Sequence, residues 1–86
     1  MSDPTPASPE SPESLAFGRT IRAERGARQL TQRELGDKAD VSSRHLSEIE
    51  RGKVDLRLSK IVSLAQGLEM RLGELMTKVD EKLGQR

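Results

Sequence analysis

Residues 43–51 contain several side chains that donate or accept hydrogen bonds, spaced so that they share one face of a helix. At about 100° per residue, Leu46 and Ile49 point to one side of such a helix and the polar side chains point to the other. The polar set comprises Arg44, Ser47, Glu48 and Arg51, with Ser43 at the N-terminal shoulder. A guanidinium pairs bidentately with guanine, a carboxylate accepts from cytosine, and hydroxyls can serve either. The available chemistry is therefore hydrogen bonding to base edges, and the alternative is a solvated face of a surface helix.

Catalytic chemistry has little support in this sequence. His45 is the only histidine, and the chain has no cysteine, no glycine-rich phosphate loop and no metal-spaced ligand set. Glu48 and Glu50 could form a carboxylate pair, but two residues apart on a helix they face different ways. We therefore expect no enzyme activity, no cofactor and no metal, and we expect His45 to lie on the flank of its helix.

Local signals predict two short helices joined by a tight turn around this polar face. Thr31 and Glu34 form a capping box that starts the first helix. Asp40 tolerates the left-handed backbone that a turn after this helix requires. Ser42 is then a good N-cap for the second helix, and Gly52 ends it.

The chain resembles the lambda-repressor/Cro-like helix-turn-helix family over roughly residues 15 to 76. Several spaced elements agree in order, which is far more specific than a single short motif. The resemblance implies an all-α, compact five-helix DNA-binding domain. The matching residues are Ile21, Arg22, Arg25, Leu30–Gln32, Leu35, Ala39, Val41 and Leu46–Gly52, then Leu58, Ile61, Leu64, Ala65, Leu68 and Leu72–Met76.

Three residues depart from the family pattern where the family usually has glycine. Gln29 stands before the Leu-Thr-Gln segment, Asp40 stands in the turn, and Glu69 follows the fourth helix. Because only glycine adopts the left-handed conformation without steric cost, we expect strain in the turns at Gln29 and Asp40.

The resemblance also implies roles for individual residues. Its third helix enters the major groove and its second helix lies across the phosphate backbone. The base-reading candidates are Ser43, Arg44, Ser47 and Glu48, with contact to phosphate alone as the alternative for Arg44. The backbone-contact candidates are Gln32, Arg51 and Lys53. Arg25 and Glu50 match the family's helix-one arginine and helix-three glutamate, so they are expected to form an internal ion pair.

We therefore expect a sequence-specific transcriptional regulator that binds double-stranded DNA as a homodimer on an inverted-repeat operator. The controller proteins of restriction-modification systems are similar to this chain in length and in the Arg44–Ser47 segment. With one small domain, regulation is expected to depend on dimer concentration, without a small-molecule effector. The alternative is an antitoxin or a protein-binding adaptor built on the same fold, since fold alone does not decide function.

The composition of the 86-residue chain fits one aliphatic core with a single aromatic residue, Phe17. The absence of cysteine excludes disulfides and is consistent with a reducing cytoplasm. No apolar run is long enough to span a bilayer and no signal sequence is evident, so we expect a cytoplasmic protein without a membrane partner.

Residues 1–14 hold all four prolines and are predicted to be a disordered acidic arm, followed by the DNA-binding domain over residues 15–86. The first helix is expected to start near Leu15 with Ser14 as its cap. The arm carries three of the 14 acids and no Lys or Arg, so the domain has 15 basic groups against 11 acids. Its net charge of +4 is compatible with a DNA partner and equally with a mixed solvated surface.

Apolar residues at helical spacing continue past the region of family resemblance. They predict a fifth helix that stops near Gly84. Val79 and Leu83 lie beyond the expected core, and we predict that they form the dimer interface. The alternative is a frayed helix end on which both side chains are simply exposed.

Overall fold

The computed structural model describes residues 10–84, which form five α-helices, and it confirms the predicted all-α architecture. No helix in this part of the chain is long and apolar enough to cross a membrane. The helices are α1 (Pro12–Ala27), α2 (Gln32–Ala39), α3 (Ser43–Glu50), α4 (Leu58–Gly67) and α5 (Leu72–Leu83).

Helix α1 begins three residues earlier than predicted. Its N-cap is Ser11, whose Oγ accepts a hydrogen bond of 3.1 Å from the backbone N–H of Ser14. Pro12 occupies the first helical position, where a missing N–H costs nothing. The prediction of a start at Leu15 with Ser14 as cap was therefore wrong, and residues 12–14 are helical. Within the predicted disordered arm, Glu10 and Ser11 are also described, and residues 1–9 lie outside the described residues.

The predicted caps of α2 and α3 are confirmed. Thr31 Oγ1 accepts from the N–H of Glu34 at 3.0 Å, and the Glu34 carboxylate accepts from the N–H of Thr31 at 2.8 Å. Ser42 Oγ accepts from the N–H of His45 at 3.1 Å. Each cap satisfies N–H groups that the first turn of a helix leaves unpaired.

Three of the helices end in a left-handed residue that is not glycine, at the three positions singled out in the sequence analysis. Gln29, Asp40 and Glu69 have φ angles of 57°, 58° and 59°. A residue with a Cβ atom pays a steric cost in this region, so the expectation of strain at Gln29 and Asp40 extends to Glu69. Gly52, with φ 73°, makes the same kind of turn after α3 without that cost.

The core lies between α1, α2 and the three later helices, and it is almost entirely aliphatic. Helix α1 packs on α3 and α5, while α2 packs on α3 and α4. Burial of each large apolar side chain contributes about 1.5–3 kcal/mol. The most deeply buried side chains include Ile21, Leu35, Leu46, Ile49, Leu64, Leu68 and Leu75.

Val79 belongs to this core. It is only 4% exposed, and Leu83 is partly buried against the core. The prediction that both lie beyond the core was wrong, because α1 packs along α5 and Val79 joins the same core cluster as Phe17. The apolar side chain that α5 leaves exposed is instead Met76, at 38%.

Candidate nucleic-acid interface

Helices α2 and α3 form a compact pair joined by the turn at Asp40. The N–H of Val41 donates to the carbonyl of Gly36 at 2.8 Å, which closes the turn, and Val41 is buried. Leu46 and Ile49 anchor α3 with exposures of 0% and 1%. Since these two side chains determine how α3 is rotated about its axis, its opposite face must point away from the core.

The base-reading candidates lie on this outward face. Ser43 and Arg44 are exposed, whereas Ser47 and Glu48 are half-buried at the same surface. His45 lies beside Glu48, with 3.5 Å between His45 Nδ1 and the Glu48 carboxylate. His45 therefore contacts the base-reading candidate Glu48. This contact is an ion pair only when the imidazole is protonated.

An ion pair between Arg25 and Glu50 holds α1 against α3. Arg25 Nε and Nη2 donate to the two carboxylate oxygens of Glu50 at 2.6 and 3.0 Å. The side chain of Glu50 is only 3% exposed and that of Arg25 is 18% exposed. The hydrogen bond to Glu50 raises the pKa of Arg25 above its ordinary value. Arg25 Nη1 also donates to the carbonyl of Leu30 at 2.8 Å, which fixes the entry to α2.

Two backbone-contact candidates make contacts that sequence analysis did not anticipate. Gln32 Nε2 donates to Glu50 at 3.1 Å, so the buried carboxylate orients the amide at the start of α2. The second amide hydrogen remains for another acceptor. Lys53 forms an ion pair with Glu10, 43 positions earlier in the chain. No local pattern signals either contact, because both partners come from separate elements.

The third backbone-contact candidate, Arg51, is exposed at the C-terminal end of α3. Its Nε donates to the carbonyl of Ser47 at 3.4 Å, so part of the guanidinium folds back on the helix. A guanidinium carries five N–H donors, which leaves most of its capacity for an external acceptor.

A second group of charged and polar side chains lies beside α3 and was missed from the sequence. One concave surface is lined by His45, Asp55, Arg57, Ser59 and Lys60. Lys60 Nζ also donates to the carbonyl of Asp40 at 3.4 Å, which places α4 next to the turn. Arg57 and Lys60 belong to a different helix from the predicted face, so helical spacing alone could not group them with it.

The arrangement is suited to binding an extended polyanion with a hydrogen-bonding face. The outer face of α3 carries donors and acceptors, and the exposed cations Arg51 and Lys53 follow its C-terminal end. Cations beside a hydrogen-bonding face are typical of DNA-binding surfaces. Within residues 10–84, no group of three or more His, Cys, Asp or Glu side chains could hold a metal ion.

Known proteins share this architecture. A family model described as "Helix-turn-helix domain" matches residues 16–77. An uncharacterized HTH-type transcriptional regulator, y4dL from Sinorhizobium fredii (strain NBRC 101917 / NGR234), is 35% identical over 52 residues, which is 60% of this chain and 26% of that protein. The chain therefore spans about a quarter of the length of this curated relative.

Two solved structures are similar to this chain over most of their own length. The clp gene regulator ClgR from Corynebacterium glutamicum has a TM-score of 0.82 and 26% identity, covering 90% of this chain and 82% of that one. The restriction-modification controller protein C.AhdI from Aeromonas hydrophila has a TM-score of 0.73 and 28% identity, covering 76% of this chain and 98% of that one. Because the family match extends from α1 into α5, this chain belongs to the helix-turn-helix domain family.

Proposed function

We propose that this protein is a sequence-specific transcriptional regulator that binds double-stranded DNA as a homodimer on an inverted-repeat operator. The observation that carries this proposal is the two-sided character of α3. Leu46 and Ile49 anchor it in the core, while Arg44 and Ser43 stand exposed on its outer face. The regulators among its relatives support the same conclusion.

In the proposed complex, α3 enters the major groove and its outer face reads base edges. Arg44 pairs with a guanine, Glu48 accepts from a cytosine, and the hydroxyls of Ser43 and Ser47 bond to neighbouring bases. A helix that lies in the groove must also be held there by phosphate contacts, which do not depend on sequence. Those contacts come from Gln32, Arg51 and Lys53.

The proposed dimer centres on Met76 instead of Val79. Val79 lines the same apolar groove as Leu83, but it is only 4% exposed and offers little surface to a second protomer. Met76 is exposed at the edge of an apolar groove that Leu56, Ile61 and Leu83 also line. An exposed apolar groove of this kind favours self-association, and a two-fold pairing would present two copies of α3 to matching half-sites.

Selection of bound duplexes from a random pool tests this function. We expect enrichment of one motif whose inverted half-sites are centred about one helical turn apart, or a multiple of it. Selection with Arg44→Ala is the matched control, and we expect it to return a motif with lower information at one position in each half-site. Failure of the wild-type protein to enrich any motif would contradict the proposal and would favour a protein-binding adaptor.

A further inference from the structure

Glu10 lies against the C-terminal end of the proposed recognition helix. Its backbone N–H donates to the carbonyl of Gly52, and its carboxylate forms an ion pair with Lys53 Nζ. Glu10 precedes the family-model match, which begins at residue 16. The family model therefore does not cover Glu10.

Two neighbouring features hold Glu10 in place. Ser11, the next residue, caps α1. The first turn of α1 closely approaches Gly52, since a Cβ atom added to Gly52 would lie 3.1 Å from Leu15 Cα. Glu10 is thus held beside Lys53 by a helix start and by a glycine turn.

The ion pair is accessible to a competitor. The side chains of Glu10 and Lys53 are 50% and 47% exposed, so a phosphate oxygen can approach the ammonium group directly. The hydrogen bond from Lys53 and its positive charge hold the pKa of Glu10 below its ordinary value. Glu10 is consequently ionised at neutral pH and presents a negative charge where a phosphate would bind.

We propose that Glu10 is an intramolecular competitor of the DNA backbone for Lys53, and that it lowers the affinity for every duplex irrespective of sequence. The inference rests on the proposed DNA-binding function. A lysine that is already paired gains less from a phosphate, and the displaced carboxylate repels the phosphate that replaces it. The base-reading face of α3 is untouched, so base preference stays the same.

The gain in DNA affinity expected on removing the Glu10 carboxylate is small, because the Glu10–Lys53 ion pair is half-exposed. Neutralising one phosphate contributes about 0.9 to the slope of log affinity against log salt. Replacing Glu10 by glutamine frees Lys53, so we expect the magnitude of this slope to rise by up to about 0.9. Exposed ion pairs have modest energies, and the gain in affinity at low salt should be about two- to fivefold. Screening should abolish the gain at high salt.

The experiment is a titration of wild-type protein, Glu10→Gln and Glu81→Gln against the selected operator and a scrambled duplex of equal length, at several salt concentrations. Glu81 is the matched control, because it is exposed, carries the same charge and has no ion-pair partner among residues 10–84. We expect Glu10→Gln to bind both duplexes more tightly by the same factor. Glu81→Gln should bind like the wild type, and thermal unfolding should show that all variants fold.

Titrations of Lys53→Gln and of the double variant Glu10→Gln/Lys53→Gln test whether Glu10 acts through Lys53. We expect Glu10→Gln to have no further effect there, because the cation for which Glu10 competes is gone. Equal binding by Glu10→Gln and wild type, an equal gain from Glu81→Gln, or a gain that persists without Lys53 would each overturn the inference while leaving the DNA-binding function intact. Failure of the wild-type protein to bind either duplex would overturn both.

Discussion

Two arginines of this protein, Arg25 and Arg44, have different surroundings: one is held inside the fold and the other is exposed to a ligand. Arg25 donates to Glu50 and Leu30 and is mostly buried. Arg44 is exposed, and within residues 10–84 it makes no hydrogen bond or ion pair. An unpaired guanidinium on the outward face of an anchored helix has all five donors free for a ligand. The structure thus confirms the predicted pairing of Arg25 with Glu50 and leaves Arg44 exposed on the face proposed to read bases.

Arg44→Ala should reduce sequence discrimination. A bidentate contact between arginine and guanine is worth about 1–3 kcal/mol, so specific affinity should fall by that amount and preference should relax at one base position. Titration against the operator and its single-base variants measures the change.

Arg51→Ala is the matched control for this prediction, because Arg51 is also an exposed arginine of α3 but belongs to the proposed phosphate contacts. It should weaken binding to all duplexes alike and lower the salt slope. Equal losses of Arg44→Ala on operator and scrambled DNA would show that Arg44 contacts phosphate only.

Glu50→Ala should destabilise the fold. The substitution removes an acceptor of three hydrogen bonds, two from Arg25 and one from Gln32, and leaves the guanidinium partly buried without its partner. Removing one member of a buried pair costs about 3–5 kcal/mol, and the partial exposure of Arg25 places the expected loss near the lower end. Urea denaturation of Glu50→Ala, Arg25→Ala and the double variant measures the coupling. Additive losses would show that the pair contributes no interaction energy.

At the scale of elements, close approach of α1 to α3 is what orients the proposed recognition helix. Gly18 lies at their contact, where an added Cβ atom would be 2.8 Å from the carbonyl oxygen of Glu50 and closer still to that of Ile49. Backbone atoms cannot move aside as a flexible side chain can. The absence of a side chain at Gly18 is therefore a condition for this helix packing.

Gly18→Ala should destabilise the protein by about 1–3 kcal/mol, the usual cost of overpacking a core. The same helix supplies a matched control in Gly26, where an added Cβ atom meets nothing within 4 Å. Gly26→Ala should stabilise by about 0.5–1 kcal/mol, because alanine loses less backbone entropy in a helix. Denaturant midpoints of the two variants should move in opposite directions. A shift in the same direction would mean that α1 and α3 separate easily.

At the scale of the whole molecule, the packing of α5 on α1 decides which apolar residues remain for a partner. Val79 fills the core beside Phe17, while Met76 faces outward. Leu58, at 67% exposure, is the other large apolar side chain on the surface of the described part. Of these two exposed side chains, only Met76 borders the apolar groove, and the dimer proposal therefore centres on it.

Met76→Asp should yield a folded protein that dimerises weakly and binds the operator with reduced affinity, because a charge in an apolar interface is desolvated without a partner. Val79→Asp should instead unfold the protomer for the same reason. Leu58→Asp is the control for an exposed apolar residue outside the groove. Analytical ultracentrifugation with thermal unfolding separates these outcomes. A Met76→Asp protein that still sediments as a dimer would place the interface elsewhere.

The sequence by itself determined the helix-turn-helix pattern, because its signals are local. The capping box at Thr31, the turn at Asp40 and the cap at Ser42 act within a few residues of the chain. The spacing of Leu46 and Ile49 likewise determines which face of α3 points outward. Such features follow from backbone geometry and can be predicted without knowing the neighbours.

Contacts between distant segments could not be read from local patterns. The packing of α1 on α5 buries Val79, which helical spacing alone suggested would be left over from the core. The pairing of Glu10 with Lys53 and of Gln32 with Glu50 joins residues from separate elements. Helical periodicity shows which face of a helix is apolar, but burial depends on which helices pack against that face. Those neighbours are a property of the packed molecule, because they are brought together by contacts between residues far apart in the sequence.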